Sequence, residues 1–291
     1  MREIVLGSNE DGKKLENYLK KEFPVGYVRK LFRKHGIRLN GQRAKPTATI
    51  RAGDKIQFYI PFEKSQRRGQ PSDTARKLRI VFEDLNLMVI DKPAGLAVHE
   101  GKSVIKRDSV LGFLEQQFHA SRVKPQLVHR LDQDTSGLLL VAKNQNTAEE
   151  VERAFATGAV DKQYVALVVG RLANDHGKID TPLPGRNGHP VPALTHYQVI
   201  ERFSQVTLVR VAIETGRLHQ IRLHFAGLGH PVVMDDQHGD FGFNKQFRKD
   251  YGLKRQFLHA QALKVAIAGT WQRWTAPLSQ DLQKVLLRLT D

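Results

Sequence analysis

Apolar runs and helical stripes alternate along this chain and predict a mixed α+β protein. A helix is predicted through residues 27–35, because Val28, Leu31 and Phe32 recur at helical spacing and Gly36 can end it. Apolar runs of strand length are found at 78–82, 87–90, 138–142, 161–170, 195–202 and 206–213. We therefore expect strands to outnumber helices and to pair largely in antiparallel fashion.

Two further helices are predicted from a cap and from a stripe. Thr147 and Glu150 have the spacing of a capping box, for a helix that ends at Gly158. The next stripe consists of Leu218, Ile221, Phe225 and Leu228. Residues 171–192 are rich in Pro and Gly and predict a loop.

Positive charge is concentrated near the N-terminus. Residues 1–62 hold 14 Lys and Arg against 6 Asp and Glu, which is half of the net charge of +16. The predicted helix at 27–35 carries four basic residues away from its apolar stripe: Arg29, Lys30, Arg33 and Lys34. One interpretation is a solvated helix face, and the other is a surface that binds a polyanion such as nucleic acid.

The composition also bounds the organisation of the chain. Residues 63–77 contain no large apolar side chain, which predicts a mobile linker between domains at 1–62 and 78–291. The chain has no cysteine, which excludes disulfides, thiolate metal sites and a cysteine nucleophile. No apolar run approaches membrane length and no signal-peptide pattern is found, so a cytoplasmic protein is expected.

The stretch from Val128 to Lys143 places charged residues immediately before a wholly apolar strand. Charged groups beside a buried strand have to be paired, or they cost free energy. One interpretation is a surface turn in which Asp132 is a solvated carboxylate. A calcium loop is excluded, because its twelfth position requires a bidentate glutamate and is Lys143 here. The third interpretation is a catalytic loop.

Two patterns that can indicate a bound group are incomplete. Gly101-Lys102-Ser103 resembles the end of a P-loop, but the required upstream glycine is Leu96. His219 and His224 are five residues apart, whereas two metal ligands on one helical face are four apart. We therefore expect neither a nucleotide cofactor nor a metal.

Several motifs together resemble those of the RluA family of RNA pseudouridine synthases. His129-Arg130-Leu131-Asp132, followed by Thr135-Ser136-Gly137, resembles the family motif that holds its catalytic aspartate. Asp91-Lys92-Pro93-Ala94-Gly95 resembles the first motif, and Thr215-Gly216-Arg217 with His219-Gln220-Ile221-Arg222 resembles the third. The resemblance implies an α+β fold in which a mixed, largely antiparallel sheet holds the active site.

The resemblance also implies a role for individual residues. Asp132 would be the nucleophile, Tyr164 would lie against the target base, and Arg222 would be the ion-pair partner of Asp132. Arg130 and Ile221 would lie next to the RNA. The reaction requires no cofactor, and a monomer that binds RNA is expected.

The substrate is narrowed by two further resemblances. The order of helices and turns across roughly residues 10–62 resembles the S-four RNA-binding domain. Asp235-Asp236 and Arg255-Gln256-Phe257-Leu258-His259 are closest to the RluC branch, which modifies large-subunit ribosomal RNA. His238 replaces the usual tyrosine of the family. The same reaction on transfer RNA, or a non-catalytic ribosome-assembly factor that binds RNA, remain as alternatives.

Overall fold

The computed structural model describes residues 2–23, 25–60, 78–101, 104–121, 123–185 and 187–290. These residues form two compact units. The first comprises the described residues of 1–72 and 97–122, and the second those of 73–96 and 123–291. The linker predicted at 63–77 lies outside the described residues, so the domain limits 1–62 and 78–291 stay a prediction. No helix among the described residues has the length and apolar character needed to cross a membrane.

Helices and strands alternate through both units. The α-helices are α1 (Leu15–Glu22), α2 (Val25–Arg33), α3 (Val110–Gln117), α4 (Gln145–Ala156), α5 (Gln220–Gly227), α6 (Phe241–Tyr251) and α7 (Gln280–Thr290). The strands that precede residue 128 are β1 (Arg2–Val5), β2 (Ile37–Leu39), β3 (Gln42–Arg43), β4 (Lys55–Phe58), β5 (Arg79–Glu83), β6 (Leu87–Lys92) and β7 (Gln126–Leu127). Those that follow are β8 (Ser136–Ala142), β9 (Val160–Val169), β10 (His176–Ile179), β11 (Leu183–Pro184), β12 (Pro190–Val191), β13 (Thr195–Arg202), β14 (Val206–Ile213), β15 (Leu258–Ile267) and β16 (Thr270–Thr275).

The first unit is built on a four-stranded sheet in the order β1-β4-β2-β3, with every pair antiparallel. Helices α1 and α2 share a core with this sheet, and Val28 and Leu31 of α2 are fully buried. The apolar stripe predicted for this helix is therefore confirmed. The basic residues of the helix point away from that core and are exposed.

The second unit is built on a ten-stranded sheet. Its main path runs β10-β13-β14-β9-β15-β8-β6-β5, while β16 pairs with β15 and β7 with β8. The pair β8–β15 is parallel, through Ser136 opposite His259, and the other pairs are antiparallel. The predicted mixed, largely antiparallel sheet is confirmed.

Helices cover both faces of this sheet. Helix α4 packs through Val151 and Ala154 on a core that includes Val160 of β9. Helices α6 and α7 share a second core with Val165 and Leu167 of the same strand. Since successive residues of a strand point to opposite faces, Val160 and Val165 lie on opposite sides of the sheet. The strands in the middle are therefore buried on both faces, which explains their continuous apolar runs.

Two local predictions were wrong in detail. Helix α4 begins two residues before Thr147, and its cap is Asn144, whose side chain accepts a hydrogen bond from the Thr147 N–H at 3.0 Å. Glu150 instead accepts a hydrogen bond from the backbone N–H of Ala268 at 2.5 Å. Residues 171–192 are not entirely loop, because β10 joins the edge of the large sheet.

The apolar stripe predicted around α5 is also only half right. Ile221 and Phe225 are buried, but Leu218 and Leu228 are 57% and 45% exposed. Both exposed residues lie outside the helix, which spans Gln220–Gly227. The helix is shorter than the sequence pattern indicates, so only its central turn packs against the sheet.

Candidate active site

Residues 128–137 form a tight turn around Asp132, here called the Asp132 turn, that leads into β8. Gly137 has φ of +109°, and a Cβ atom there would lie 2.2 Å from the carbonyl oxygen of Ala260. Only glycine fits this position, because both its backbone conformation and its contact with β15 exclude a side chain. The parallel pairing of β8 with β15 therefore depends on the glycine of the Thr-Ser-Gly segment.

The turn is fastened on one side to the loop after β6. Lys92 is fully buried, and its Nζ donates hydrogen bonds to the carbonyl oxygens of Pro93, Leu96 and Gln133 at 2.9, 2.9 and 3.0 Å. The Gly95 N–H also donates to the Gln133 carbonyl, and the Gln133 side chain donates back to the Gly95 carbonyl. Burial lowers the pKa of Lys92 to about 7. The segment from Lys92 to Leu96 thus holds the Asp132 turn in place.

The opposite side of the turn is held by the segment that leads into β15. Arg255 donates to the carbonyl oxygen of Asp134 at 3.4 Å, and its guanidinium also pairs with Asp281 at the start of α7. Gln256 donates to the Thr135 hydroxyl at 2.6 Å. Three residues after Gln256, His259 lies 2.9 Å from the hydroxyl of Ser136. Three consecutive residues of the turn are therefore bound by one short segment.

At the centre of the site, Arg222 lies between two aspartates. Its Nη1 donates to Asp132 Oδ2 at 3.0 Å, while Nε and Nη2 donate to the two carboxylate oxygens of Asp235 at 2.6 and 2.7 Å. Asp235 and Arg222 are buried, and the side chain of Asp132 is 19% exposed. Burial alone would lower the pKa of Arg222, but the hydrogen bonds and charges of Asp235 and Asp132 raise it. The guanidinium is therefore fixed from the interior and directed at Asp132.

The turn around Asp235 is itself rigid. Its carboxylate accepts hydrogen bonds from the backbone N–H groups of Gln237 and His238, at 2.9 and 3.0 Å. Asn244 of α6 donates to the Asp235 carbonyl and accepts from the Met234 N–H. Burial would raise the pKa of Asp235, but the hydrogen bonds from Arg222 and from the two N–H groups lower it. Asp235 is thus held ionised in the interior.

The segment before α5 is organised by Gln220. Its side-chain oxygen accepts from the Thr215 hydroxyl and the Arg217 N–H, and its amide donates to Leu194 and Thr195. His219, the residue just before the helix, adopts the left-handed conformation with φ of +54°. This conformation is uncommon outside glycine, and at a site it indicates a functional constraint. It places the imidazole Nε2 3.8 Å from Asp132 Oδ1.

Two aromatic residues of the motifs are neutral. Burial, with a smaller effect of Lys162, lowers the pKa of His129 to about 3, and its Nε2 accepts a hydrogen bond from the Leu140 N–H at 2.8 Å. Burial also raises the pKa of Tyr164, and the charge of Asp132 raises it further. His129 therefore has a structural role, while Tyr164 is a neutral phenol near the aspartate.

The residues expected at the RNA differ in their exposure. Arg130 is exposed, and within the described part of the chain it forms no ion pair. Ile221 is 4% exposed, so in this conformation it offers almost no surface to RNA, and its contact with RNA stays a prediction. Arg29, Lys30 and Arg33 of α2 are exposed, and so is Lys34, which follows the helix directly. These four residues lie in the first unit, whereas the proposed catalytic residues lie in the second.

Sequence reasoning did not find the second partner of Arg222. It noticed Asp235 only as a feature of one branch, although a buried guanidinium with five N–H donors needs more than one carboxylate. It also assigned no role to Lys92 or Arg255. For Lys92 a signal was available, because a lysine at the end of an apolar strand and before a Pro-x-Gly turn must find acceptors there.

Comparisons with known proteins identify the family. The family described as RNA pseudouridylate synthase matches residues 86–227. Ribosomal large subunit pseudouridine synthase C of Vibrio vulnificus (strain CMCP6) is 34% identical over 297 residues, covering 96% of this chain and 93% of that protein. The enzyme of the same name from Escherichia coli (strain K12) is 33% identical and covers 98% and 96%. This chain belongs to the RluA family of RNA pseudouridine synthases, which are isomerases.

Solved structures agree with this assignment. Human RNA Pseudouridylate Synthase Domain Containing 4 superposes with a TM-score of 0.62 at 28% identity, covering 73% of this chain and 93% of that one. Human RNA Pseudouridylate Synthase Domain Containing 1 has a TM-score of 0.58 at 25% identity and covers 76% and 98%. The resemblance inferred from the motifs is therefore confirmed at the level of the family and its fold.

Proposed function

We propose that this protein converts specific uridines of large-subunit (23S) ribosomal RNA to pseudouridine, with Asp132 as the nucleophile. The observation that carries the proposal is the ion pair between Asp132 and Arg222, whose atoms are 3.0 Å apart. A carboxylate is a nucleophile only when it is ionised, and a guanidinium at this distance favours the ionised form. The partial exposure of Asp132 leaves it accessible to a substrate.

The reaction breaks the bond between uracil N1 and the ribose, rotates the base and rejoins it through carbon 5. The uridine has to leave its stack to reach a carboxylate at the base of a turn. Tyr164 is neutral and near Asp132, so it suits stacking on the extruded uracil. Arg130 lies two residues before Asp132 and is exposed, which suits contact with the RNA around the vacated position.

Ribosomal RNA is the substrate favoured by the relatives and by the first unit. The bacterial relatives are named for the large ribosomal subunit. The exposed basic face of α2 offers positive charge to phosphates, in a unit that resembles an S-four RNA-binding domain. These features support an RNA-binding role for Arg29, Lys30, Arg33 and Lys34.

The test of the nucleophile is Asp132→Asn, which is nearly isosteric and removes the charge. We expect release of tritium from carbon-5-labelled uridine in ribosomal RNA to fall to background, with RNA binding largely kept. Asp236→Asn is the matched control, because its carboxylate is 64% exposed and 3.7 Å from the same guanidinium. If Asp132→Asn retains activity within about tenfold, equivalent to only about 1.4 kcal/mol of barrier, Asp132 is not the nucleophile.

The substrate is tested separately by mass spectrometry of RNA from a deletion strain. Loss of pseudouridine at defined positions of large-subunit ribosomal RNA supports the proposal. Loss from transfer RNA alone would instead establish the rival substrate. An unchanged set of pseudouridines would favour the non-catalytic assembly factor.

A further inference from the structure

The proposed reaction requires a base that removes the proton from carbon 5, and most titratable groups of the site do not suit this step. Tyr164 is held as a neutral phenol by its raised pKa. Lys92 is fully buried and its Nζ is bound to three carbonyl oxygens. The Nε2 of His129 is occupied by the Leu140 N–H. His219 is the remaining imidazole beside Asp132 in the described part of the site.

His219 is placed where a base would be needed. Its Nε2 lies 3.8 Å from Asp132 Oδ1, and the two side chains are 21% and 19% exposed. A substrate that reaches the nucleophile therefore also reaches this imidazole. The left-handed backbone at His219 maintains the placement, although such a conformation costs free energy in a residue other than glycine or asparagine.

The other ring nitrogen of His219 is held by His238. Its Nδ1 lies 3.0 Å from His238 Nε2, and the two rings meet edge to face with centroids 5.3 Å apart. The backbone of His238 is itself bound to the buried Asp235. If Nδ1 of His219 donates its proton to His238, then the lone pair of Nε2 is available on the side of Asp132.

His219 is kept neutral mainly by its burial. Burial has the largest effect and lowers its pKa. The negative charges of Asp132 and Asp235 act against this, whereas Arg222 and His238 add to it. A neutral imidazole can accept a proton, and general bases of this kind contribute about 10²–10⁴-fold to a rate.

We propose that His219 is the general base that removes the carbon 5 proton and that His238 is the positioning residue that orients it. This inference rests on the proposed function. After the ribose has rejoined carbon 5, that carbon carries both the sugar and its original hydrogen. The C5–H electron pair forms the C5=C6 double bond, the C6=N1 pair moves to N1, and N1 takes a proton from water. The proton from carbon 5 moves to Nε2 of His219 and is then released to water.

The test uses the full chain under single-turnover conditions, with ribosomal RNA carrying hydrogen or deuterium at carbon 5. His219→Asn removes the base, and asparagine tolerates the left-handed backbone. We expect turnover to fall by about 10²–10⁴-fold and the deuterium isotope effect to rise above that of the wild type. The rate of the wild type should rise with pH through a group that titrates below about 6.5, and this limb should be lost in the variant.

RNA with 5-fluorouridine at the target separates this inference from the proposed function. That base has no carbon 5 proton to lose, so His219→Asn should form the rearranged product as fast as the wild type, whereas Asp132→Asn should form none. Rearrangement by Asp132→Asn would refute the proposed function. Wild-type turnover of ordinary RNA by His219→Asn, with an unchanged isotope effect, would refute His219 as the base. Equal slowing of both RNAs by His219→Asn would also refute it, since it would indicate a structural role.

Variants of His238 test the positioning role independently. His238→Phe removes the hydrogen bond to His219, and the loss of one such bond of roughly 1 kcal/mol should slow deprotonation about fivefold. His238→Tyr restores the tyrosine usual in the family, whose hydroxyl can accept from Nδ1, and should recover turnover. If the two variants are indistinguishable from each other, His238 does not orient the base.

Discussion

The ion pair between Arg222 and Asp235 makes a quantitative prediction for Asp235→Asn. The carboxylate is completely buried, and both of its oxygens accept hydrogen bonds from the guanidinium. Removing one partner from a buried pair costs about 3–5 kcal/mol. Asparagine keeps one acceptor oxygen and Arg222 keeps Asp132, so we expect the lower end, about 3 kcal/mol. For a unit of this size the melting temperature should then fall by roughly 6–12 °C.

Thermal unfolding at neutral pH, followed by near-ultraviolet circular dichroism, measures the effect, and Asp236→Asn is again the control. That neighbour is 64% exposed, and such surface pairs contribute at most about 1 kcal/mol. If Asp235→Asn and Asp236→Asn shift the melting temperature equally, the buried pair does not have the stabilising role inferred from its geometry. Turnover should fall as well, because the guanidinium loses the group that directs it at Asp132.

The difference in stability between the wild type and Asp235→Asn should depend on pH in one direction. The pKa of Asp235 is lowered in the folded state by Arg222 and by two backbone N–H groups, in spite of burial. Its contribution is therefore fully present above the ordinary aspartate pKa of about 3.9 and is lost as the pH falls through the lower folded-state value. The stability gap between wild type and Asp235→Asn should be constant from about pH 5 upward and should narrow in acid.

Two other predictions concern the turn and the first unit. Gly137→Ala should abolish turnover and lower stability by at least about 1–3 kcal/mol, because its Cβ would meet the Ala260 carbonyl at 2.2 Å. Gly158→Ala, which also has positive φ but open space around it, should lower stability without abolishing turnover. The second prediction replaces four basic residues by glutamine: Arg29, Lys30, Arg33 and Lys34. If they make about three phosphate contacts, the slope of log affinity against log salt should flatten by about 2. The same change at Lys245 and Lys249 is the control, and an equal slope in both variants would mean that the four N-terminal basic residues are only solvated.

The sequence predicted the core of the large sheet because its strands are buried on both faces. Residues 138–142 were expected to form a strand, and β8 extends this only to Ser136. The glycine of the Thr-Ser-Gly segment explains the extension, since it lets the backbone pair with β15 two residues earlier. The family motifs likewise marked three distant segments, and the structure brings Asp132 and Arg222 together.

Other features could not be predicted because two residues were equally suitable for one role, and the sequence pattern does not distinguish between them. Asn144 and Thr147 both suit a helix cap, and the structure uses Asn144 because α4 then gains its first turn. Arg222 could be assigned to Asp132 by resemblance, but its stronger partner is Asp235, which the chain brings back through a turn closed by Asn244. Such a choice depends on the position of α6, which no local spacing specifies.

The Asp132 turn is held on two sides, and this has a consequence for how the enzyme discriminates between RNA targets. Lys92 and Arg255 bind carbonyl oxygens of the turn, so its backbone is fixed before any RNA arrives. Since the protein has little conformational freedom left to lose here, ordering Asp132 adds little to the free-energy cost of binding. The main free-energy cost of forming the complex is therefore that of unstacking one nucleotide of the RNA. We therefore expect uridines in RNA loops and bulges to be modified in preference to uridines within RNA helices.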